Sequence, residues 1–278
     1  MKFTFLLIML LALKGFTQPK NEINLPNGGK DIEINNLTSL YSLYITKNQE
    51  VFNDDKKLEY FQDVNYTFLN QLNKNISMGI PLVLIYADIK TPFKFVSKIK
   101  QYIPNHRWLF YMTENIEGLK ATAFRNYGSA KNFGLEEILT MEEENDLLVE
   151  GFPFAPPLPP PSMWYNDFED IIYSGKKEDI NEVLKKHTHN TLKVSLNKTL
   201  THKGKIIDSN NLKKILEETD VVFLKFDNDI LYEDYIHVVQ EINRILKQIE
   251  KLKESGAYVI EISFQLEELY MDLGIELN

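Results

Sequence analysis

Two acids at the ends of apolar runs are the first residues whose types and spacing could do chemistry. "PLVLIYADIKTPF", Pro81 to Phe93, runs into Asp88, and "DVVFLKFDNDILY", Asp220 to Tyr232, runs into Asp227. A carboxylate at a strand end can act as a general acid or base. It can equally accept backbone N–H bonds from the turn that follows, a turn that Pro92 presets. The second role is the expected one for both, with Asn tolerated in place of either acid. His187, His189 and His202 are the other candidates, since three imidazoles can meet a zinc or copper ion. No fourth ligand stands out beside them, so no metal site is expected. The chain has no cysteine, which excludes disulfides, thiol catalysis and thiolate zinc sites. Its sequence holds no Gly-rich phosphate loop, nucleophile elbow or His-Glu-x-x-His helix. No catalytic residue and no cofactor is expected.

The elements that position these acids come as a repeat. At an offset of 139 residues, Leu82–Ile85 fall on Val221–Leu224, Asp88 on Asp227, and Phe93 on Tyr232. Both apolar runs are short, rich in branched and aromatic residues, and bounded by turn formers, as central strands are. Helical positions follow at the same offset, with Val96, Ile99 and Ile103 set against Tyr235, Val238 and Ile242. Each helix leads to another strand, "RWLFYMT" from Arg107 and "AYVIEISF" from Ala257. Upstream, "LYSLYITKNQEVFNDDKKL" and "TLKVSLNKTLTHKGKII" each read as strand, turn, short strand and second turn. The turns fall at Asn48-Gln49 and Asn197-Lys198, then at Asn53-Asp54-Asp55 and Lys203-Gly204. A helix follows in each copy. The first carries Phe61, Val64, Phe68 and Leu72 on one face, and the second has Ser209 as N-cap.

The expected fold is therefore α+β, with two tandem ββαβαβ domains, each a small mixed sheet with two helices. The divisions are a signal peptide at 1–18, a first domain at 22–114, a linker at 115–186 and a second domain at 187–278. The long helix from Tyr232 has an apolar stripe, Ile236 to Leu252, that outruns one small sheet. Part of it should pack on the first unit or on another subunit.

This unit resembles the periplasmic domain of the ExbD/TolR family of biopolymer-transport proteins. The resemblance rests on "EINLP", Glu22 to Pro26, on the hairpin and helix, and on Ala87, Asp88, Pro92 and Phe93 after the strand. The second copy keeps Asp227 and Tyr232 but has Leu231 for the proline. It covers about 22–114 and 189–277. It implies that Asp88, Pro92, Phe93, Asp227 and Tyr232 serve as structural-turn or interaction residues, with Phe93 and Tyr232 anchoring the next helix on the sheet. Family members that couple ion flow to work carry an aspartate in a membrane helix, where an acid is costly and marks ion transfer. The run Phe3–Leu13 has no acid and is about half the length needed to span a bilayer. It reads as the core of a cleaved signal peptide, which places the mature protein in the periplasm without a stable membrane span.

The linker combines a short acidic helix, "LEEILTMEEENDLL", with a stretch in which five of the six residues Pro156–Pro161 are proline. That composition predicts a stiff polyproline spacer. Phe152, Phe154, Pro156, Pro157, Pro159, Trp164 and Tyr165 form a candidate partner-binding segment, the alternative being aromatics docked on one of the two units. The formal charge of −9 argues against nucleic acid and anionic lipid as main partners. The expected role is a non-enzymatic component of an envelope transport or energy-transduction system, acting by contact with envelope proteins, a TonB/Tol-type motor complex among them. The alternative is a binding module for peptidoglycan or a small ligand in the cleft between the domains.

Overall fold

The computed structural model describes residues 23–32, 39–74, 81–103, 108–117, 120–125, 171–172, 175–250 and 257–277. Residues 1–18, read as a signal peptide, the stretch read as an acidic helix and the Pro-rich segment with Phe152, Phe154, Pro156, Pro157, Pro159, Trp164 and Tyr165 lie outside them. Among the described residues the protein is α+β, with two mixed sheets and six helices.

The first sheet holds β1 (Lys30–Asp31), β2 (Leu40–Ile45), β3 (Val51–Asn53), β4 (Lys56–Leu58), β5 (Leu82–Ala87), β6 (Trp108–Met112) and β7 (Lys120–Arg125), in the order β1-β7-β6-β5-β2-β3-β4. Its helices are α1 (Gln62–Lys74) and α2 (Phe93–Lys100). The rest comprises α3 (Lys177–Lys186), β8 (His189–Ser195), β9 (Thr199–His202), β10 (Lys205–Ile206), α4 (Ser209–Glu218), β11 (Val221–Phe226), α5 (Tyr232–Glu250), β12 (Tyr258–Glu261) and α6 (Phe264–Leu273). The second sheet runs β10-β9-β8-β11-β12. Strands β2, β5 and β6 are parallel, and so are β8, β11 and β12, while each hairpin is antiparallel. The order β6-β5-β2-β3-β4 therefore repeats as β12-β11-β8-β9-β10.

Three features depart from the expected ββαβαβ units. Each hairpin continues into a third strand, because a tight second turn reverses the chain before the helix. Asp54 has φ +52°, and Lys203 and Gly204 have φ +49° and +74°. The returning strands, β4 and β10, have three and two residues, too short to show a period of two. Second, Lys120–Arg125, inside the segment read as a linker, is strand β7, antiparallel to β6. Third, α3 and α6 give the second sheet helices on its other face as well. One cap also differs: Asp208, not Ser209, accepts the Asn211 N–H at 2.8 Å and begins α4.

The alternation within each central strand decides where the core sits. Val83, Ile85 and Ala87 point to one face of the first sheet, and Val222, Leu224 and Phe226 to one face of the second. With residues from α1, α2, α4 and α5 they form a single buried cluster shared by both halves. On α1 it takes Val64 and Phe68, and Leu72, also buried, continues the same face at four-residue spacing, as an amphipathic helix requires. The far face of the first sheet, with Leu82, Leu84, Tyr86, Phe110 and Met112, is covered by Ile23, Leu25 and Ile32 of the N-terminal segment. The far face of the second, with Val221, Phe223 and Ile260, is covered by Ile180 and Leu184 of α3 and by Leu266 and Tyr270 of α6. No helix among the described residues is long and apolar enough to cross a membrane.

Candidate functional site

Asp88 and Asp227 stand at equivalent strand ends but do different work. Asp88 is fully buried. Its Oδ1 accepts the Lys90 N–H at 2.9 Å, within the turn, and its Oδ2 accepts the Asn24 N–H at 2.9 Å. Asn24 returns the contact, its carbonyl accepting from Ile89 N–H at 2.9 Å. Asp88 thus ties the β5 turn to the N-terminal "INLP" segment. The Asp227 carboxylate instead meets side chains of β8, with Ser195 Oγ donating at 2.6 Å and Lys193 Nζ at 2.6 Å. Partial burial pushes its acidity down, but the two hydrogen bonds outweigh this and hold the carboxyl below its usual range. Both carboxylates are engaged in bonds that fix backbone or strand.

Beyond each acid, the two turns clasp each other. Pro92 and Leu231 form an antiparallel bridge. Phe93 N–H donates to the Ile230 carbonyl at 2.9 Å, and Tyr232 N–H to the Thr91 carbonyl at 2.8 Å. Under the 139-residue offset each bond maps onto the other, so a pseudo-twofold axis passes between Pro92 and Leu231. Phe93 and Tyr232 begin helices α2 and α5, and both are fully buried at this junction. Phe93 stacks on Tyr235 with ring centroids 4.0 Å apart. Neither ring is available to a partner surface.

The side chains around the axis break its symmetry. Lys100, the last residue of α2, is 3% exposed, and its Nζ donates to both Glu261 oxygens at 2.7 and 2.8 Å. The Tyr235 hydroxyl lies 2.9 Å from Glu261 Oε2 and 3.0 Å from the Tyr111 hydroxyl. The ammonium also faces the rings of Phe93, Tyr111 and Tyr235 at 5.1–5.7 Å, a cation–π arrangement. Burial pulls the Lys100 ammonium below its usual value, against the opposing pull of Glu261. Burial also pushes the phenols of Tyr111, Tyr232 and Tyr235 well up. This network joins α2 and β6 of the first half to α5 and β12 of the second.

A groove of about 490 Å³ lies beside the junction. The N-terminal segment and β6–β7 supply Gly29, Lys30, Ile32, Phe110 and Ala121–Ala123, while α5 supplies Gln240, Asn243, Arg244, Lys247 and Gln248. Its volume is that of a small-molecule site, and apolar residues line its floor. Helix α5 is held against this edge by polar residues flanking its apolar stripe. Gln240 donates to the Asn27 carbonyl at 3.0 Å, and Asn243 to the Ala123 carbonyl at 3.0 Å. The stripe itself, from Ile236 through Val239, Ile242 and Ile245 to Ile249, is buried in the shared core.

The three histidines do not converge on one point in any described contact. His189 Nδ1 lies 3.2 Å from the His187 carbonyl, and His202 Nε2 lies 2.9 Å from Asn190 Oδ1. Among the described residues no group of three or more candidate ligands is placed to hold a metal ion.

Sequence reasoning missed Lys100, Tyr111, Tyr235 and Glu261 as a group. A signal was present, since Glu261 interrupts the apolar run "AYVIEISF" at an inward position. What it lacked was a partner, which comes from a helix 161 residues earlier. Comparison of the chain with protein-family models, curated proteins and solved structures finds no match.

Proposed function

We propose that the chain is a non-enzymatic periplasmic component of an envelope transport or energy-transduction system, acting through protein contact and lacking an ion-coupling membrane helix. The observation that carries this reading is the reciprocal clasp at Pro92 and Leu231. The residues that resemble the ExbD/TolR motif are spent on joining two like halves, and their carboxylates are bonded to backbone and strand rather than aimed into a cavity. The chain then presents a paired module as one polypeptide. Because Phe93 and Tyr232 are buried, partner contact falls to outer surfaces, and the segment with Phe152, Phe154, Trp164 and Tyr165 is the candidate for it. The short acid-free run Phe3–Leu13 supports export. Crosslinking in intact envelopes followed by affinity capture tests the proposal. Recovery of TonB/Tol-type motor components supports it, and a mature chain found in the cytoplasm with its first residues retained overturns it.

The groove favours one second reading, a binding module for peptidoglycan fragments or a small ligand. Its lining comes from both halves, so a ligand there would report on their relative position. Retention on purified sacculi, lost on filling the groove with Ala123→Trp, distinguishes this reading from the first.

A further inference from the structure

The pseudo-twofold axis allows a comparison the protein itself never makes, of each half against its own copy. Lys100 and Val239 are each the eighth residue of their helix. Ile85 pairs with Tyr111, and Leu224, its counterpart, pairs with Glu261, so Tyr111 and Glu261 hold the same place in the two sheets. Tyr235 corresponds in the same way to Val96. Two first halves joined at this junction would set each Lys100 against Tyr111 and Val96. Two buried ammonium groups would then have no carboxylate. Two second halves would set each Glu261 against Val239 and Tyr235, burying two carboxylates that have each lost the Lys100 ammonium. Only a first half against a second half brings Lys100 to Glu261, and a buried charge is tolerated only when paired and hydrogen-bonded.

We infer that the buried Lys100–Glu261 pair is a pairing code, which makes the junction accept a first half only against a second half. The backbone clasp alone carries no such preference, because its two hydrogen bonds are equivalent under the axis. The code also names the partner of an opened chain: the complementary half of a second copy. Two chains that open together close on each other by reciprocal exchange, first half to second half twice, and leave no junction exposed. Residues 126–170 join β7 to the second half and, fully extended, reach about 150 Å, enough for the halves to be exchanged. Like halves do not associate, so opened chains do not build homotypic strings through this face.

The test uses full chains. Lys100→Glu places two carboxylates at the junction, and Glu261→Lys places two ammonium groups there. Each variant alone is mismatched both within the chain and in any exchange with itself. An exchanged pair of the two is matched at both junctions, once in the native polarity and once reversed. The two variants, one isotope-labelled, are unfolded, mixed and refolded together, and mass is read by light scattering and mass spectrometry. The expected product is a one-to-one dimer in clear excess over dimers of either variant alone, with the native chain recovered as monomer under the same conditions. The double variant Lys100→Glu/Glu261→Lys, which restores the pair within one chain, is expected to refold as a monomer. Mismatched variants that refold separately as monomers and show no preference for each other overturn the inference. So does a double variant that refolds while the mixture gives no mixed dimer. A double variant that fails to refold shows that pairing depends on more than the two charges, and overturns it as well.

Discussion

Pro92 and Leu231 face each other across an antiparallel bridge at the same position in two copies of one strand order. The proline presets its own turn, and the leucine that replaces it in the second copy keeps the backbone path, held by the bonds at Phe93 and Tyr232. The bridge uses backbone only, so the two sequences can differ around it without breaking it. Specificity at the junction falls to side chains, and there Lys100 and Glu261 decide.

Removing one charge of that pair should cost far more than removing both. Lys100→Met takes from the buried Glu261 the ammonium bonded to both its oxygens, a loss of about 3–5 kcal/mol on the scale of broken buried pairs. Lys100→Met with Glu261→Met replaces the pair by apolar groups and should lie near the native stability, since desolvation of the ions is no longer required. Denaturant unfolding of the two single variants and the double variant measures this. A double variant as unstable as the sum of the singles would mean that no coupling exists.

The tyrosines around the pair set the alkaline limit of the fold. Tyr111, Tyr232 and Tyr235 have folded-state values raised well above 10.0 by burial, so above about pH 10 the folded protein holds protons that the unfolded chain releases. Their contribution is complete below pH 10 and is lost as pH rises towards the folded values. Lys100, lowered from 10.5, works in the opposite sense: it gains stability as pH rises from its folded value to 10.5. Three phenols against one amine predict a net fall. Phenolate absorbance followed together with circular dichroism should show these tyrosines ionising only as the chain unfolds, rather than in the native baseline.

The parts legible in the sequence were those with a long period or a repeated context. Strands β5 and β11 alternate between two buried faces over six residues each, and α1 shows its apolar face at four-residue spacing. Strands β4 and β10 are too short for any period: the turns at Asp54 and at Lys203-Gly204 were legible, but not that the two or three residues beyond each would pair back as a strand. Lys100 closes a short amphipathic helix, a place where a lysine is ordinarily solvated. Only the second half, folded over it, turns that position inward. The equivalence of Asp88 and Asp227 was visible, but not that one binds backbone and the other binds Lys193 and Ser195, because those partners come from other strands.

That difference predicts unequal responses to the same substitution. Both Asp88 oxygens accept N–H bonds, and an amide offers one acceptor while aiming its own NH2 at a donor. Asp88→Asn should therefore cost about 1–3 kcal/mol, the range for an unsatisfied buried donor, in contrast to the tolerance expected from a turn cap alone. Asp227→Asn keeps an acceptor for Ser195 and loses an ion pair whose Lys193 is half exposed, so its cost should stay below about 1 kcal/mol. Thermal melts of the two variants decide between equal and unequal roles.

Gly29 sets how the N-terminal segment reaches the sheet edge. It has φ +99°, and a Cβ built there would collide with Thr113 Oγ1 and lie 3.0 Å from the Ala121 carbonyl oxygen. Both the dihedral and the space therefore demand glycine. The next residues, Lys30 and Asp31, pair with Ala121 and Lys120 as β1, and Ile32 is buried over the far face. Gly29→Ala should cost about 1–3 kcal/mol, the scale of a strained backbone position, and should release β1 before the rest of the sheet. Hydrogen exchange resolves the two effects: protection should drop at the amides of β1 and β7 while β5 and β11 keep theirs. A uniform loss across both sheets would mean that the segment is part of the global core rather than a strap laid on its edge.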